Sequence, residues 1–198
     1  VSENIESKKG QVSSKERAER LGQKPATIWL TGLPGAGKTT LAYKLEKRLF
    51  DMGYTGYVMD GENIRMTINK DLGFDSHDRS ENARRTAEAA RMLNSAGMTA
   101  ICSLITPYAA DRDNVRKIVG TKKFLEVYLS APFEVCRERA EDDLYENAEK
   151  GKIKHFSGIT APFEPPERPD LTLTTDKLGV EECVDRIIDK LKDRGFIK

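Results

Sequence analysis

Short apolar runs separated by polar and turn-forming residues form the first pattern in this chain. Runs of about four to eight aliphatic, β-branched or aromatic residues between turn signals are typical of buried strands. Such runs predict strands at Thr27–Thr31, Tyr57–Asp60, Thr99–Ile105, Phe124–Ser130 and Leu171–Thr174.

Between these runs, apolar residues recur at helical spacing, as they do at Leu41, Leu45 and Leu49. This period indicates amphipathic helices. The sequence predicts helices at Thr39–Met52, Ser80–Ala96, Ala110–Ile118, Pro132–Asp142 and Val180–Arg194. Alternating strands and helices are the signature of an α/β domain, so we expect a parallel sheet of about five strands flanked by helices. Ligands of such sheets bind at the carboxyl ends of the strands.

The first part of the chain differs in composition. Residues 1–24 are mostly polar and charged, which predicts a tail or linker before a single domain at residues 25–198. Ser14 could cap a short helix that runs through Leu21.

Charge and cysteine content exclude several classes of function. The 33 basic and 32 acidic residues give a net charge of +1, so no overall field attracts nucleic acid or an anionic membrane. The 3 cysteines contain no C-x-x-C pair, so we expect neither a disulfide framework nor a zinc site. This cysteine pattern favours a reducing cytoplasm. No apolar run is long enough to cross a bilayer, so we expect a soluble protein.

The strongest chemical signal follows the first predicted strand. Gly32 to Thr39 has the spacing G-x-x-x-x-G-K-T between a strand and a helix, which is typical of a nucleotide-binding P-loop. Glycines let backbone N–H groups surround a phosphate chain, Lys38 reaches the β- and γ-phosphates, and the Thr39 hydroxyl binds Mg²⁺. A glycine-rich turn that matches by chance is the alternative, and the flanking elements argue against it. The predicted ATP-binding residues are Gly32, Leu33, Pro34, Gly35, Ala36, Gly37, Lys38, Thr39 and Thr40.

Asp60 ends the second predicted strand and is followed by Gly61. From that position a carboxylate could order the water of a Mg²⁺ ion or accept a proton from an attacking hydroxyl. A helix N-cap is the alternative role, and both roles could hold at once. We therefore predict Lys38 and Asp60 as catalytic residues, and Thr39 and Asp60 as metal ligands.

A candidate pocket for the phosphoryl acceptor follows in the sequence. Phe74 precedes a basic helix start that contains Arg79 and Asn82, and Arg65 lies upstream. A nucleotide base could stack on the ring while arginines hold its phosphate. A core phenylalanine beside a solvated charged face is the alternative.

Two later segments could border the same pocket. Ile105 and Thr106 follow the third predicted strand. Arg137 precedes a polar, basic stretch that suggests a mobile lid at residues 140–165, called the lid segment below, which would close over the donor and exclude water. Such a charged stretch is also commonly just a solvated face.

Taken in order, these motifs resemble adenylylsulfate kinase, also called APS kinase, from Gln23 to Lys198. They are GLPGAGKTT, DGENIR, NKDLGF, SLITPY and GKIKHFSGI, followed by PFEPPERP. The resemblance implies transfer of the ATP γ-phosphoryl group to the 3′-hydroxyl of adenosine 5′-phosphosulfate (APS), which gives 3′-phosphoadenosine 5′-phosphosulfate (PAPS) and ADP. It also implies Mg²⁺ and a homodimer.

By position, the resemblance assigns Arg137 to the ATP site and places the adenine of APS between Phe74 and Phe156. The residues that it assigns to APS are Glu62, Asn63, Arg65, Phe74, Arg79, Asn82, Ile105, Thr106, Lys154 and Phe156. The polar lead-in also resembles that of kinase domains fused behind a sulfate adenylyltransferase, so we expect a fusion or association with that enzyme.

The chain departs from the family pattern at three positions. Glu62 stands where the family has Asp, and Thr106 stands where it has a Ser that is sometimes labelled a phosphoserine intermediate. Direct in-line transfer needs no such intermediate, so we assign Thr106 to binding. Asp142 replaces a lysine that contacts substrate, which weakens the expected affinity of the lid segment for APS unless Lys150 or Lys152 substitutes.

Three other functions stay open at this point. A kinase of the same architecture could act on a nucleoside monophosphate or a sugar acid. A regulatory nucleotide switch would need a guanine-reading N-K-x-D element, which Asn69-Lys70-Asp71-Leu72 does not match. A domain that binds PAPS without turnover would be consistent with Asp142.

Overall fold

The computed structural model describes Lys8, residues 10–140 and residues 143–198. Five strands form one fully parallel sheet in the order β2-β3-β1-β4-β5. The strands are β1 (Thr27–Thr31), β2 (Gly56–Asp60), β3 (Thr99–Ser103), β4 (Phe124–Ser130) and β5 (Leu171–Thr174). The predicted sheet of five strands is thus confirmed.

Helices cover both faces of this sheet. They are α1 (Ser14–Arg20), α2 (Lys38–Asp51), α3 (Gly61–Met66), α4 (Ser76–Ser95), α5 (Ala109–Val119), α6 (Phe133–Arg139), α7 (Leu144–Glu149) and α8 (Val180–Asp193), and a short 3₁₀ helix spans Thr121–Lys123. The sequence analysis did not predict α3 or α7, each of which has only 6 residues. Helices this short carry too few periodic positions to be recognised from a pattern.

Central strand β1 divides the core into two clusters because its successive side chains point to opposite faces. Ile28 and Leu30 pack with α2 and α8, whereas Trp29 packs with α4 and α5. All five β1 residues are buried. Burial on both faces explains why the middle of this strand, Ile28 to Leu30, is continuously apolar rather than alternating.

The register of the sheet brings polar strand ends together. Asp60, the last residue of β2, pairs with Ser103, the last residue of β3, while Thr31 ends β1 between its neighbours β3 and β4. These three residues therefore lie along one edge of the sheet, directly below the loop that connects β1 to α2.

Several predicted boundaries were wrong. Strand β3 ends at Ser103 rather than Ile105. Helix α4 begins at Ser76, four residues earlier than predicted. Asp75 caps it there by accepting a hydrogen bond from the backbone N–H of Asp78. Helix α6 ends at Arg139, since Ala140 has an extended backbone. The predicted end of that helix, Asp142, lies outside the described residues.

Helix α1 packs against the carboxyl end of α4 through a hydrogen bond from Arg17 to the Ser95 carbonyl. Ser13, not Ser14, is its N-cap, and Glu16 completes a capping box with it. The boundary between tail and domain at Lys24 stays a prediction. No helix in the described part of the chain has the length and apolar character needed to span a bilayer.

Candidate active site

The loop between β1 and α2 has the backbone geometry that a phosphate cradle requires. Gly35 and Gly37 have φ of 76° and 92°, in the left-handed region that favours glycine. A Cβ on Gly35 would lie 2.1 Å from the Cys136 carbonyl oxygen. Helix α6 therefore packs directly on the loop, which leaves no space for a larger residue at position 35.

Lys38, the first residue of α2, is 9% exposed and lies inside this loop. Its Nζ donates hydrogen bonds to the carbonyl oxygens of Gly32 and Leu33, at 2.9 and 2.7 Å. Burial lowers the pKa of Lys38 to about 8, although the carboxylate of Asp60 acts in the opposite direction. The ammonium group is thus partly desolvated, and a phosphate oxygen would be a stronger partner for it than two carbonyls.

Thr39 and Asp60 meet at the edge of the sheet. The Thr39 hydroxyl donates to Asp60 Oδ2 at 2.8 Å, and Ser103 Oγ lies 3.4 Å from the same hydroxyl. Hydroxyl and carboxylate oxygens are ligands that Mg²⁺ prefers, so these residues fit the predicted metal. Asp60 Oδ1 also accepts from the backbone N–H of Glu62 and caps α3. The two roles considered for Asp60 are therefore geometrically compatible.

A second cluster joins an aromatic ring and two guanidinium groups. Phe74 is 54% exposed, and the Cζ atoms of Arg65 and Arg79 lie 4.2 and 5.5 Å from its ring centroid. Arg65 donates to the Gly73 carbonyl at 2.7 Å, and Arg79 Nε donates to the Phe74 carbonyl at 2.9 Å. Burial, followed by the charge of Arg65, lowers the pKa of Arg79. An anion placed beside these arginines would relieve that unfavourable interaction.

The other residues predicted to bind APS surround this cluster at different depths. Asn82 is buried and accepts a hydrogen bond from Asn69, whereas Asn63 is exposed and donates to the Tyr43 hydroxyl at 3.0 Å. Glu62 is exposed. Only Asn82 among these three side chains is held by a buried hydrogen bond.

Thr106 lies at the base of the site in an unusual conformation. Its φ of 42° is rare for a β-branched residue. Its hydroxyl accepts from Trp29 Nε1 at 3.0 Å, and its carbonyl accepts from Arg112 at 2.9 Å. The neighbouring Ile105 carbonyl accepts from the Thr31 hydroxyl at 2.6 Å. These three hydrogen bonds hold the segment after β3 in a fixed position.

The described part of the lid segment lies against the P-loop. The Tyr145 hydroxyl donates to the Pro34 carbonyl at 2.7 Å, and burial raises the pKa of Tyr145, so the hydroxyl keeps its proton. The Tyr145 ring packs edge-on against Phe156, with centroids 5.0 Å apart. Arg79 reaches the lid segment through a hydrogen bond of 2.6 Å to the His155 carbonyl. The lid segment therefore contacts both the loop and the Arg65–Phe74–Arg79 cluster.

The remaining predicted residues of the lid region differ in their contacts. Phe156 is 7% exposed and pairs with Tyr145; among the described ring contacts it does not meet Phe74, so the predicted adenine sandwich stays a prediction. Lys154 is exposed, and Arg137 on α6 forms an ion pair with Glu149 of α7 at 3.2 Å. Asp142, where the family lysine is replaced, lies outside the described residues.

Sequence reasoning missed three residues that the structure places in or beside the site. Ser103 was missed because the predicted strand ran two residues too far, past the true strand end. Asn69 opens the NKDLGF motif, but the sequence assigns no role to it or to Tyr145, since their importance depends on contacts with Asn82 and Pro34.

Known proteins that resemble this chain share one family description. The family profile described as Adenylylsulphate kinase matches residues 24–174. An adenylyl-sulfate kinase of Clostridium acetobutylicum is 46% identical over 196 residues, which is 99% of this chain and 98% of the relative. The bifunctional enzyme CysN/CysC of Rhodopirellula baltica is 44% identical over 187 residues, 94% of this chain, but the match spans only 29% of that protein.

A solved structure extends the similarity to three dimensions. The structure of the Mycobacterium tuberculosis APS kinase CysC in complex with AMPPNP and APS has a TM-score of 0.82 and 37% identity, and the match covers 86% of this chain and 99% of that one. With a family profile that matches most of the chain and full-length relatives above 40% identity, this chain belongs to the adenylylsulphate kinase family.

Proposed function

We propose that this protein transfers the γ-phosphoryl group of ATP to the 3′-hydroxyl of APS, in the activation of sulfate, and releases PAPS and ADP. The observation that carries the proposal is the juxtaposition of two unlike sites at one edge of the sheet. A glycine loop with a buried lysine suits a triphosphate, and an exposed ring between two arginines suits a nucleotide that bears a second anion.

On the donor side, the chain supplies binding and charge. The backbone N–H groups of the loop bind the phosphate chain of ATP, and Lys38 moves its hydrogen bonds from two loop carbonyls to phosphate oxygens. Thr39 and Asp60 hold Mg²⁺, which neutralises negative charge on the β- and γ-phosphates when it is bound. Asp60 orients either a water of that Mg²⁺ or the acceptor 3′-hydroxyl, and transfer is direct and in line.

On the acceptor side, the chain supplies orientation. Adenine stacks on Phe74, and Arg65 and Arg79 bind the phosphosulfate, so that the 3′-hydroxyl points towards the P-loop. Closure of the lid segment brings Lys154 and Phe156 over APS and excludes water. Positioning of two bound nucleotides supplies much of the rate enhancement in this type of reaction.

We also propose that the enzyme acts as a homodimer in the cytoplasm. All three cysteines are buried free thiols, as expected in a reducing compartment. The proposed association with a sulfate adenylyltransferase, by fusion or between separate chains, is consistent with the bifunctional CysN/CysC relative of Rhodopirellula baltica, in which the matching segment is 29% of a longer protein.

A coupled assay of ADP release tests the proposed reaction. With Mg-ATP, APS should be phosphorylated efficiently, whereas AMP and gluconate should give little ADP. Lys38→Ala should lower kcat by roughly a hundredfold or more, since one preorganised electrostatic donor is lost. Tight binding of APS or PAPS without turnover, or preference for AMP or gluconate, would contradict the proposal.

A further inference from the structure

Asn69 is a fully buried polar residue between α3 and α4, with 0% exposure. Its backbone N–H donates to the Ile64 carbonyl at 3.0 Å, and its carbonyl accepts from the Leu72 N–H at 3.1 Å. Both backbone groups are thus satisfied by the local turn. The side chain takes no part in these bonds, so the turn itself does not explain why an amide is buried here.

The side chain of Asn69 is directed to Asn82 on α4. Asn69 Nδ2 donates to Asn82 Oδ1 at 3.0 Å and lies 3.4 Å from the backbone carbonyl oxygen of Asn82. A side-chain amide can be rotated to present either its oxygen or its NH₂ group, but a backbone carbonyl oxygen can only accept a hydrogen bond. An oxygen of Asn69 in this position would face two acceptors, so the NH₂ group of Asn69 must be there, and Asn82 must present its Oδ1 to it.

This arrangement determines which end of the Asn82 amide is left for a ligand. Because Oδ1 is bound to Asn69, Nδ2 is the end that points away from it. A ligand beside Asn82 therefore meets a hydrogen-bond donor, which suits the ribose, phosphosulfate or ring-nitrogen acceptors of a nucleotide.

Asn69 also carries a cost to stability. Its Oδ1 is buried and has no hydrogen-bond partner among the described residues. A buried acceptor without a partner is destabilising, and an apolar side chain of the same size would avoid this penalty. Local violations of this kind are expected where a residue serves function rather than packing.

We propose that Asn69 is a positioning residue for the acceptor site, which holds the Asn82 amide so that its donor, rather than its acceptor, faces APS. The proposal rests on the proposed function and adds to it a residue that does not itself touch the substrate. A purely structural role would instead make Asn69 an anchor for the loop at residues 67–73, with no specific coupling to Asn82.

Steady-state kinetics of full-length variants test the coupling. Asn69→Leu should raise the KM for APS about tenfold, because one hydrogen bond to a charged or strongly polar ligand is lost. The KM for ATP should stay within about twofold of the wild-type value. In an Asn82→Ala background, Asn69→Leu should add no further increase in the KM for APS. Asn69→Ala repeats the test with a smaller side chain if the leucine variant folds poorly.

Two further variants separate orientation from stability. Asn82→Asp keeps an acceptor for Asn69 but replaces the donor, so it should raise the KM for APS at least as much as Asn82→Ala does. Asn94→Leu is the matched control. Asn94 is an equally buried amide at the other end of α4, where it bonds to the Ala26 and Met98 carbonyls, and its loss should lower the melting temperature without changing the KM for APS.

The outcomes distinguish the two proposals. If the wild-type enzyme is active, two results would overturn the positioning role alone. One is an unchanged KM for APS in Asn69→Leu. The other is an increase in the KM for APS that is equally large with and without the Asn82 side chain. The same would follow if Asn94→Leu raised the KM for APS to the same extent. Wild-type protein that forms no PAPS would overturn the proposed function itself.

Discussion

The Tyr145 hydroxyl and the Pro34 carbonyl oxygen form a hydrogen bond of 2.7 Å that connects the lid segment to the P-loop across 111 positions of sequence. Tyr145 is 2% exposed, and its ring is flanked edge-on by Phe133 and Phe156. One side chain therefore contacts the backbone of the P-loop and Phe156, the ring predicted to cover APS.

Tyr145→Phe removes this hydrogen bond and keeps the ring. The free energy of unfolding should fall by about 1 kcal/mol, the net value of a typical intramolecular hydrogen bond. The KM for ATP should rise about fivefold if the same energy is lost from the bound P-loop conformation. Urea unfolding and initial-rate kinetics measure the two effects.

Tyr54→Phe is the control for Tyr145→Phe. Tyr54 also loses one hydrogen bond, from the backbone N–H of Lys198, but at the carboxyl terminus of the chain. An increase in the KM for ATP in both variants, or in neither, would show that the Tyr145 hydroxyl does not act through the P-loop.

Asp60→Asn tests the metal-binding role apart from the capping role. Asparagine caps helices about as well as aspartate, so the free energy of unfolding should change by less than about 0.5 kcal/mol. An amide lacks the negative charge that attracts Mg²⁺, so kcat should fall roughly a hundredfold and a higher Mg²⁺ concentration should be required. The measurement is a Mg²⁺ titration of initial rates at saturating ATP and APS.

Asp75→Asn gives a matched comparison for Asp60→Asn, because Asp75 is also an N-cap, directly before α4, and its Oδ1 accepts a hydrogen bond from the backbone N–H of Asp78. Its Mg²⁺ dependence should equal that of the wild type. Wild-type kcat and Mg²⁺ requirement in Asp60→Asn would rule out the proposed metal ligand.

The P-loop and the sheet could be predicted from the sequence because each depends on local properties. Gly35 and Gly37 are needed for local backbone conformation, and an apolar run such as Thr27–Thr31 becomes a buried strand wherever helices cover both faces. The aromatic and basic cluster was also predictable, because Arg65, Phe74 and Arg79 are close in sequence and occur on consecutive elements.

The contacts made across the fold could not be predicted in the same way. The Asn69 side chain bonds to the Asn82 side chain, and the Tyr145 hydroxyl bonds to the Pro34 backbone carbonyl. In both cases the surrounding sequence does not indicate the distant partner. The conformation of Thr106 is similar, because its φ of 42° is maintained by groups from β1 and α5 rather than by local propensity. Tertiary contacts override local preference at these positions, which all lie in or beside the candidate site.

Glu81→Gln should show a pH-dependent loss of stability. Arg84 and then Arg85 lower the pKa of Glu81 from 4.5 to about 2, because both donate hydrogen bonds to its carboxylate. The stabilisation is present above about pH 4.5 and disappears as the pH falls towards 2, since the carboxylate is then protonated in both the folded and unfolded protein. At pH 7 the variant should be less stable by at most about 1 kcal/mol, because solvent screens this exposed network.

Urea unfolding of wild type and Glu81→Gln between pH 7 and pH 3 measures this difference. The gap between the two curves should be constant down to about pH 4.5 and shrink below it. Glu88→Gln, which removes the exposed ion pair with Arg91, is the control and should have a smaller effect. A gap that widens in acid would mean that the sign of the Glu81 contribution is wrong.

Thr106→Ala distinguishes direct transfer from a covalent phosphoenzyme. Thr106 carries a hydroxyl at the position where the resemblance places a serine, and its Oγ1 accepts a hydrogen bond from Trp29 Nε1. If the residue only binds, its removal should raise the KM for APS and lower kcat by less than about tenfold, whereas loss of a true nucleophile costs on the order of a millionfold in kcat. The buried Trp29 N–H loses its partner, so the variant should also be less stable by about 1–3 kcal/mol.

Thr106→Ser keeps the hydroxyl and should restore both stability and the KM for APS. Rapid-quench experiments with γ-labelled ATP complete the test: label transferred to Thr106 before PAPS appears, together with an inactive alanine variant, would establish the covalent route instead.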